Sequence, residues 1–178
     1  PNRPCFSHHT ILTVSDVVSP PRHIMTSTQA QQTLRSLHDH AKEASIFASV
    51  ALTGERLECE AKDSAAKAQY RIEAASDGWR LSLGTADRWL SESIESQLVE
   101  SRDSMEDLLR EELVDLDCLE APPKIRHFRD ESKRYVFECT VPFGTDLADD
   151  LQRAQLFLFA FESMFRQLGD MSGAGSEE

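Results

Sequence analysis

The sequence predicts an α+β domain: a five-stranded, mostly antiparallel sheet with helices packed on one face, in the order α-β-β-β-α(α)-β-β-α. Three observations carry this. Two stretches, "QYRIEAASDGWRLSLG" and "KIRHFRDESKRYVFECTVPFG", each place a polar turn between runs of alternating apolar and polar residues, the pattern of a hairpin. Charged or polar residues fill the alternate positions (Arg71, Glu73, Arg80, Ser82), so the sheet has one dry face, which antiparallel sheets allow. Apolar residues at steps of three and four recur before, between and after these hairpins, the spacing of helices packed by one face. With 178 residues and 40% hydrophobic content, one chain of this size buries roughly 70% of its unfolded surface.

Residues 1–25 differ from the rest. They hold four of the seven prolines and one acidic residue, Asp16. They lack the apolar core and small-residue cleavage site of a secretory signal. Met25 stands just before a Ser/Thr cluster and a helix, so the expectation is a start at Met25, with the leader outside the domain; a flexible arm is the alternative. The domain is then 26–169, followed by a disordered acidic tail over 170–178, where "MSGAGSEE" is small and polar.

The first helix is expected from about Thr28 to Ser49. Ala30, Leu34, Leu37, Ala41, Ala44 and Ala48 give it a narrow, alanine-rich face. "RLECEAK" alternates Leu57, Cys59 and Ala61 against charge, as a strand. In the first hairpin Tyr70, Ile72 and Ala74 answer Trp79, Leu81 and Leu83, with Ser-Asp-Gly as the turn and Gly78 free to take positive φ. Residues 86–98 read as a helix capped by Thr85, with Leu90, Ile94 and Leu98 in line; the rival is a strand bearing Trp89, Ser91 and Ser93. "SMEDLLREELVDL" is a helix capped by Ser104, with Met105, Leu108, Leu109, Leu113 and Leu116 as its apolar stripe. Pro122 and Pro123 exclude further helix. The second hairpin sets Ile125 and Phe128 against Tyr135, Phe137 and Cys139 across "RDESK". Asp146, Asp149 and Asp150 then load the start of the last helix, where the macrodipole favours negative charge.

That last helix is the richest in apolar residues. Leu147, Leu151, Ala154, Leu158, Phe161, Phe165 and Leu168 form one seam, and Phe157, Ala160 and Met164 a second beside it. Leu156 and Phe159 fall on other sides. The seam can dock on the sheet, which leaves Leu156, Phe157, Phe159 and Met164 to be covered by the first helix, by a second copy, or by a different protein. These four are the candidate partner-binding residues.

Composition limits the function. With 31 acidic against 19 basic residues and a net charge of -12, neither nucleic acid nor an anionic membrane is an expected partner. Cys5, Cys59, Cys118 and Cys139 are widely spaced, which fits reduced thiols in a cytoplasmic protein, with Cys59 and Cys139 as core residues. His8 and His9 lie near Cys5 but lack a fourth ligand at zinc spacing. His38 and His40 are two apart on a helix and do not face each other; both are expected in solvent, as is His127 on its strand. The carboxylates of "ESIES" and "REEL" read as solvated helix faces. No nucleophile elbow and no phosphate loop is present. The expectation is therefore no enzyme, no cofactor and no metal.

The order of elements, "SDGWRLSL" followed by an acidic helical stretch, and "RYVFECTVPFGTDLADDLQRA" leading into the final helix resemble the type III secretion chaperone-like fold and the related YbjN-like bacterial domains, over residues 28–168. The resemblance implies a homodimer without catalytic residues. It also implies a protein client held in unstructured form on apolar patches of sheet and helices. The function expected is a non-enzymatic, chaperone- or adaptor-like protein-binding module. The alternative is a regulatory domain sensing a small ligand between the sheet and the last helix.

Overall fold

The computed structural model describes residues 25–173. In chain order the elements are α1 (Ser27–Ala44), β1 (Ser49–Thr53), β2 (Arg56–Glu60), β3 (Ala68–Ala74), β4 (Gly78–Thr85), α2 (Arg88–Ser101), α3 (Met105–Asp115), β5 (Arg126–Arg129), β6 (Tyr135–Pro142) and α4 (Leu147–Arg166), closed by a 3-10 turn over Gly169–Ser172. The strands form one antiparallel sheet in the order β1-β2-β3-β4-β6-β5. The α+β class and the antiparallel sheet stand; the sheet has six strands and not five. The leader with Cys5, His8 and His9 lies outside the described residues, which begin at Met25.

The additional strand is β1. The alanine spacing carries a helical reading through Ala48 to Ser49, but the helix ends at Ala44. Ser45 turns into the left-handed region (φ 57°) and its N–H bonds back to the Lys42 carbonyl. Ile46, Phe47 and Val50 then favour extended backbone, and Ala48 shares the helical step only by coincidence. At its other end α1 begins with a full capping box, in which Thr26 accepts from the Gln29 N–H and the Gln29 side chain accepts from the Thr26 N–H.

The register sorts the sheet into rows of opposite character. On the inward face Cys59, Tyr70, Leu83, Phe137 and His127 stand side by side across β2, β3, β4, β6 and β5, with Leu57, Ile72, Leu81 and Cys139 in the next row. On the outward face the rows are Glu58, Arg71, Ser82, Glu138 and Arg126, then Arg56, Glu73, Arg80 and Thr140. The helices lie over the inward face: α4 against β3 and β6, α1 against β1 and β2, α2 against β4, and α3 beside α4.

Three local details correct the reading, and one choice it left open is decided. Gly78 opens β4 rather than a positive-φ turn, and it is needed because a Cβ there would sit 2.2 Å from the Val141 carbonyl oxygen. The cap of α2 is Asp87, which accepts from the Leu90 N–H at 2.8 Å, while the Thr85 hydroxyl takes the Asp87 N–H. Residues 88–101 are helix, which settles the choice against a strand. The expected tail begins too early. Asp170 accepts from the Ala65 N–H and donates its own to Ser93, and Met171 is 1% exposed. Among the described residues no helix is long and apolar enough to cross a membrane.

Candidate functional site

The four candidate partner residues are covered largely by the chain itself. Helix α4 lies between α1 and α3 with the sheet beneath. Phe157 and Met164 are each 1% exposed and belong to the core, which removes them from any docking face. Phe159 is half-buried against Phe47, their rings 6.5 Å apart, and Leu156 is half-buried at the edge of the same cluster. Polar ties fasten this arrangement: His40 Nδ1 meets Gln155 Oε1 at 2.7 Å, and Gln167 Nε2 donates to Glu112 at 2.6 Å. His40 is half-buried rather than solvated, and so is His38, whose Nδ1 meets the neighbouring Asp39 at 3.0 Å. Sequence spacing marks which residues of a helix are apolar. It does not say that two further helices bring their own apolar stripes to it.

The inward row ends in a polar cluster between α2 and β5. His127 lies flat on Phe137, with ring centroids 4.0 Å apart and planes 5° from parallel. Its Nε2 is 3.3 Å from the Ser91 hydroxyl, which donates to Glu95 Oε1 at 3.2 Å; the same carboxylate oxygen is 3.7 Å from His127 Nδ1. Burial lowers the His127 pKa, and Glu95 opposes this in part. A serine, a histidine and an acid in contact have the components of an activated nucleophile. Ser91, however, sits inside a helix and is 0% exposed, so a substrate has no access to it. The cluster is a tie between α2 and the sheet edge. Neither hairpin periodicity nor helical spacing could have shown that His127 and Ser91 meet.

The outward face carries a lattice of ion pairs: Arg71 and Arg56 each 3.3 Å from Glu58, Arg80 3.2 Å from Glu73, Arg126 2.6 Å from Glu138 and Arg134 2.7 Å from Asp130. These surround a shallow hollow of about 180 Å³ that includes Gly84. Desolvation and the neighbouring Arg134 and Arg56 lower the Arg71 pKa, against Glu58, which raises it. Among the described residues no three His, Cys, Asp or Glu side chains are grouped to hold a metal ion. Burial pushes the Cys59 and Cys139 thiols up to about 12, so both are inert core residues.

Exposed apolar side chains follow one another from the last turn of α3 into the segment after it. Val114, Leu116 and Leu119 are 48%, 39% and 88% exposed; Asp115 and Asp117 lie between them in the chain and Glu120 follows. Leu116, expected in the buried stripe of α3, is instead part of this ridge. Asp117 holds a left-handed φ of 58°, and the Cys118 N–H returns to the Leu113 carbonyl at 2.8 Å, which folds the segment back on the helix end. Arg153 of α4 pairs with Glu120 and donates to the Pro142 carbonyl, fixing the far end. The sequence signal was present in "VDLDCLE", where acids alternate with large apolar residues beyond the helical stripe.

No protein-family model matches the chain, and no curated protein or solved structure matches it either.

Proposed function

We propose that the chain is a non-enzymatic, chaperone- or adaptor-like protein-binding module. On this reading it takes a basic, apolar-bearing segment of another protein at the ridge formed by Val114, Leu116 and Leu119. The observation that carries it is Leu119, 88% exposed between Asp117 and Glu120 and anchored by the Arg153–Glu120 pair. Scattered surface leucines need no explanation, but an apolar group rimmed by like charge is the form of a docking site. A chain of net charge -12 attracts a cationic partner over distance and repels acidic ones. The resemblance to the type III secretion chaperone-like fold is drawn on five strands, and the sheet has six; on this reading the binding surface moves from α4 to the end of α3.

The alternative, a ligand sensed between the sheet and α4, has less behind it. That space is taken up by Tyr70 on Phe161 at 6.5 Å, Phe137 on Phe165 at 5.2 Å and Phe161 on Phe165 at 4.8 Å.

A fluorescent amphipathic peptide of lysine and leucine tests the reading by anisotropy. Binding should weaken with salt and fall roughly tenfold or more in Leu119→Asp. Equal binding by a scrambled or an acidic peptide, or by Leu119→Asp, would sink it.

A further inference from the structure

The two edges of the sheet are built differently. Strand β5 is four residues long, carries Arg126 and Arg129, and follows Pro122, Pro123 and Lys124. Short length, charge and proline are the devices that keep an edge from pairing with another chain. Strand β1, one residue longer, carries neither charge nor proline. From Ser45 to Gly54, ten consecutive residues carry no charge and no proline, in a chain that is 28% charged. Ser49, Ala51, Leu52 and Thr53 are exposed, and Val50 is half-buried.

The backbone of this edge has a defined parity. Gly54 and Glu55 form a two-residue turn, with Gly54 at φ 64° and Thr53 opposite Arg56. In such a hairpin the closing pair exchanges both backbone hydrogen bonds, and bonded pairs then alternate along the ladder. Ala51–Glu58 and Ser49–Glu60 are thus bonded pairs, and the Ala48 N–H adds a second donor to the Glu60 carbonyl at 2.9 Å. Val50 and Leu52 therefore turn their N–H and C=O groups outward, to the free edge.

We propose that β1 pairs antiparallel with β1 of a second copy, about a two-fold axis at Ala51, joining two sheets into one. In that register Val50 faces Leu52 of the second copy as a bonded pair, and the symmetry repeats it, giving four backbone hydrogen bonds. Val50 and Leu52 share the inward face with Cys59 and Leu57, so aliphatic side chains from both copies meet on the helix side. On the outward face Ala51 stands opposite Ala51, and Ser49 opposite Thr53. By residue type, Ser-Val-Ala-Leu-Thr reads alike in both directions: hydroxyl, aliphatic, alanine, aliphatic, hydroxyl. Self-complementarity is what a two-fold interface requires, and a client strand would not require it. This seam is independent of the ridge at Leu119, so either can fail alone.

Ala51→Cys, in a chain carrying Cys5→Ser, tests the register; Cys59, Cys118 and Cys139 are buried. The two introduced thiols would lie on opposed residues of a non-bonded pair, with Cα atoms about 4.5 Å apart. Mild oxidation should give a disulfide-linked dimer quickly. Ser49→Cys is the control, since its two copies lie roughly 13 Å apart along the strands and should not link. The unaltered chain should have a native mass twice 20.0 kDa. Ala51→Lys sets two ammonium groups opposite each other and should weaken association roughly tenfold or more with the melting curve retained. A monomeric native mass, linkage of Ser49→Cys as fast as Ala51→Cys, or a dimer indifferent to a folded Ala51→Lys would overturn the proposal. If Ala51→Lys does not fold, the two cysteine variants still decide it.

Discussion

His127 rests face to face on Phe137, ring centroids 4.0 Å apart, in the outermost pair of the inward row. The stack gives the exposed strand β5 its one aromatic attachment to the core. It also holds the imidazole where Ser91 Oγ reaches Nε2 at 3.3 Å. Helix α2, strand β5 and strand β6 thus meet at a single side chain that can change charge near neutral pH.

The sign of its pH effect follows from the direction of its shift. The folded-state pKa of His127 lies below its ordinary value, chiefly by desolvation, with Glu95 opposing. Between those two values the unfolded chain binds more protons than the folded one, so stability falls as pH drops through the histidine range. In His127→Phe the ring stack is kept and this dependence is removed. Melting temperatures measured from pH 7.5 down to 5 should fall less in the variant than in the parent. Parallel curves would show that His127 does not titrate differently on folding.

Phe157 and Phe159, two residues apart on α4, should behave as different kinds of residue. Phe157 is 1% exposed within the core, and its truncation to alanine should cost about 3–5 kcal/mol. Phe159 is half-buried and touches Phe47 at the margin, so the same change should cost about 1–2 kcal/mol. Urea unfolding of both variants checks the ranking. Equal losses would mean that Phe159 is covered as completely as Phe157 is within the core.

What the sequence shows and hides divides along a physical line. Alternation in "RIEAASDGWRLSLG" and the seam of Leu158, Phe161 and Phe165 report local periodicity, and β3, β4 and α4 follow them. Strand β1 was hidden because Ala44 and Ala48 continue the helical spacing of α1, while the stop is a backbone event at Ser45 (φ 57°). The burial of Phe157 and Met164 was hidden for another reason. It depends on α1 and α3 arriving from distant parts of the chain, and one helix's pattern carries no record of its neighbours. Of the ridge, Leu116 continues the helical spacing of α3 and so passes for a buried residue, while Leu119 lies beyond the stripe.

Gly78 should not tolerate a side chain. Its missing Cβ would stand 2.2 Å from the Val141 carbonyl oxygen and 2.8 Å from that carbonyl carbon, both backbone atoms of β6. Alanine there must push apart two central strands, at about 2–3 kcal/mol. Gly84 is the internal control, because its nearest atoms are 3.9 Å away. Gly84→Ala should unfold at nearly the parent urea concentration and Gly78→Ala well below it. A reversed order would mean that the β4–β6 pairing is looser than its register implies.

Glu162 is the acid whose removal should help. It is 4% exposed on α4, and its nearest cation, Arg166 Nε, is 3.7 Å away. Desolvation raises its pKa, Arg166 opposes this, and Glu112 adds to it. A carboxyl that binds its proton more tightly when folded is a burden above its raised pKa, where folding must hold the charged form out of water. The burden lifts as pH falls through the raised pKa toward the ordinary carboxylate value. Glu162→Gln keeps the shape and removes the charge at all pH values. Desolvation of a buried ion commonly exceeds the return from one imperfect pair, so the variant should melt a few degrees above the parent at pH 7. The two should converge as pH falls to the ordinary carboxylate range, where Glu162 in the folded chain is already protonated. A variant less stable than the parent at pH 7 would mean that Arg166 returns more than desolvation takes, and that α4 relies on this pair to close its last turn.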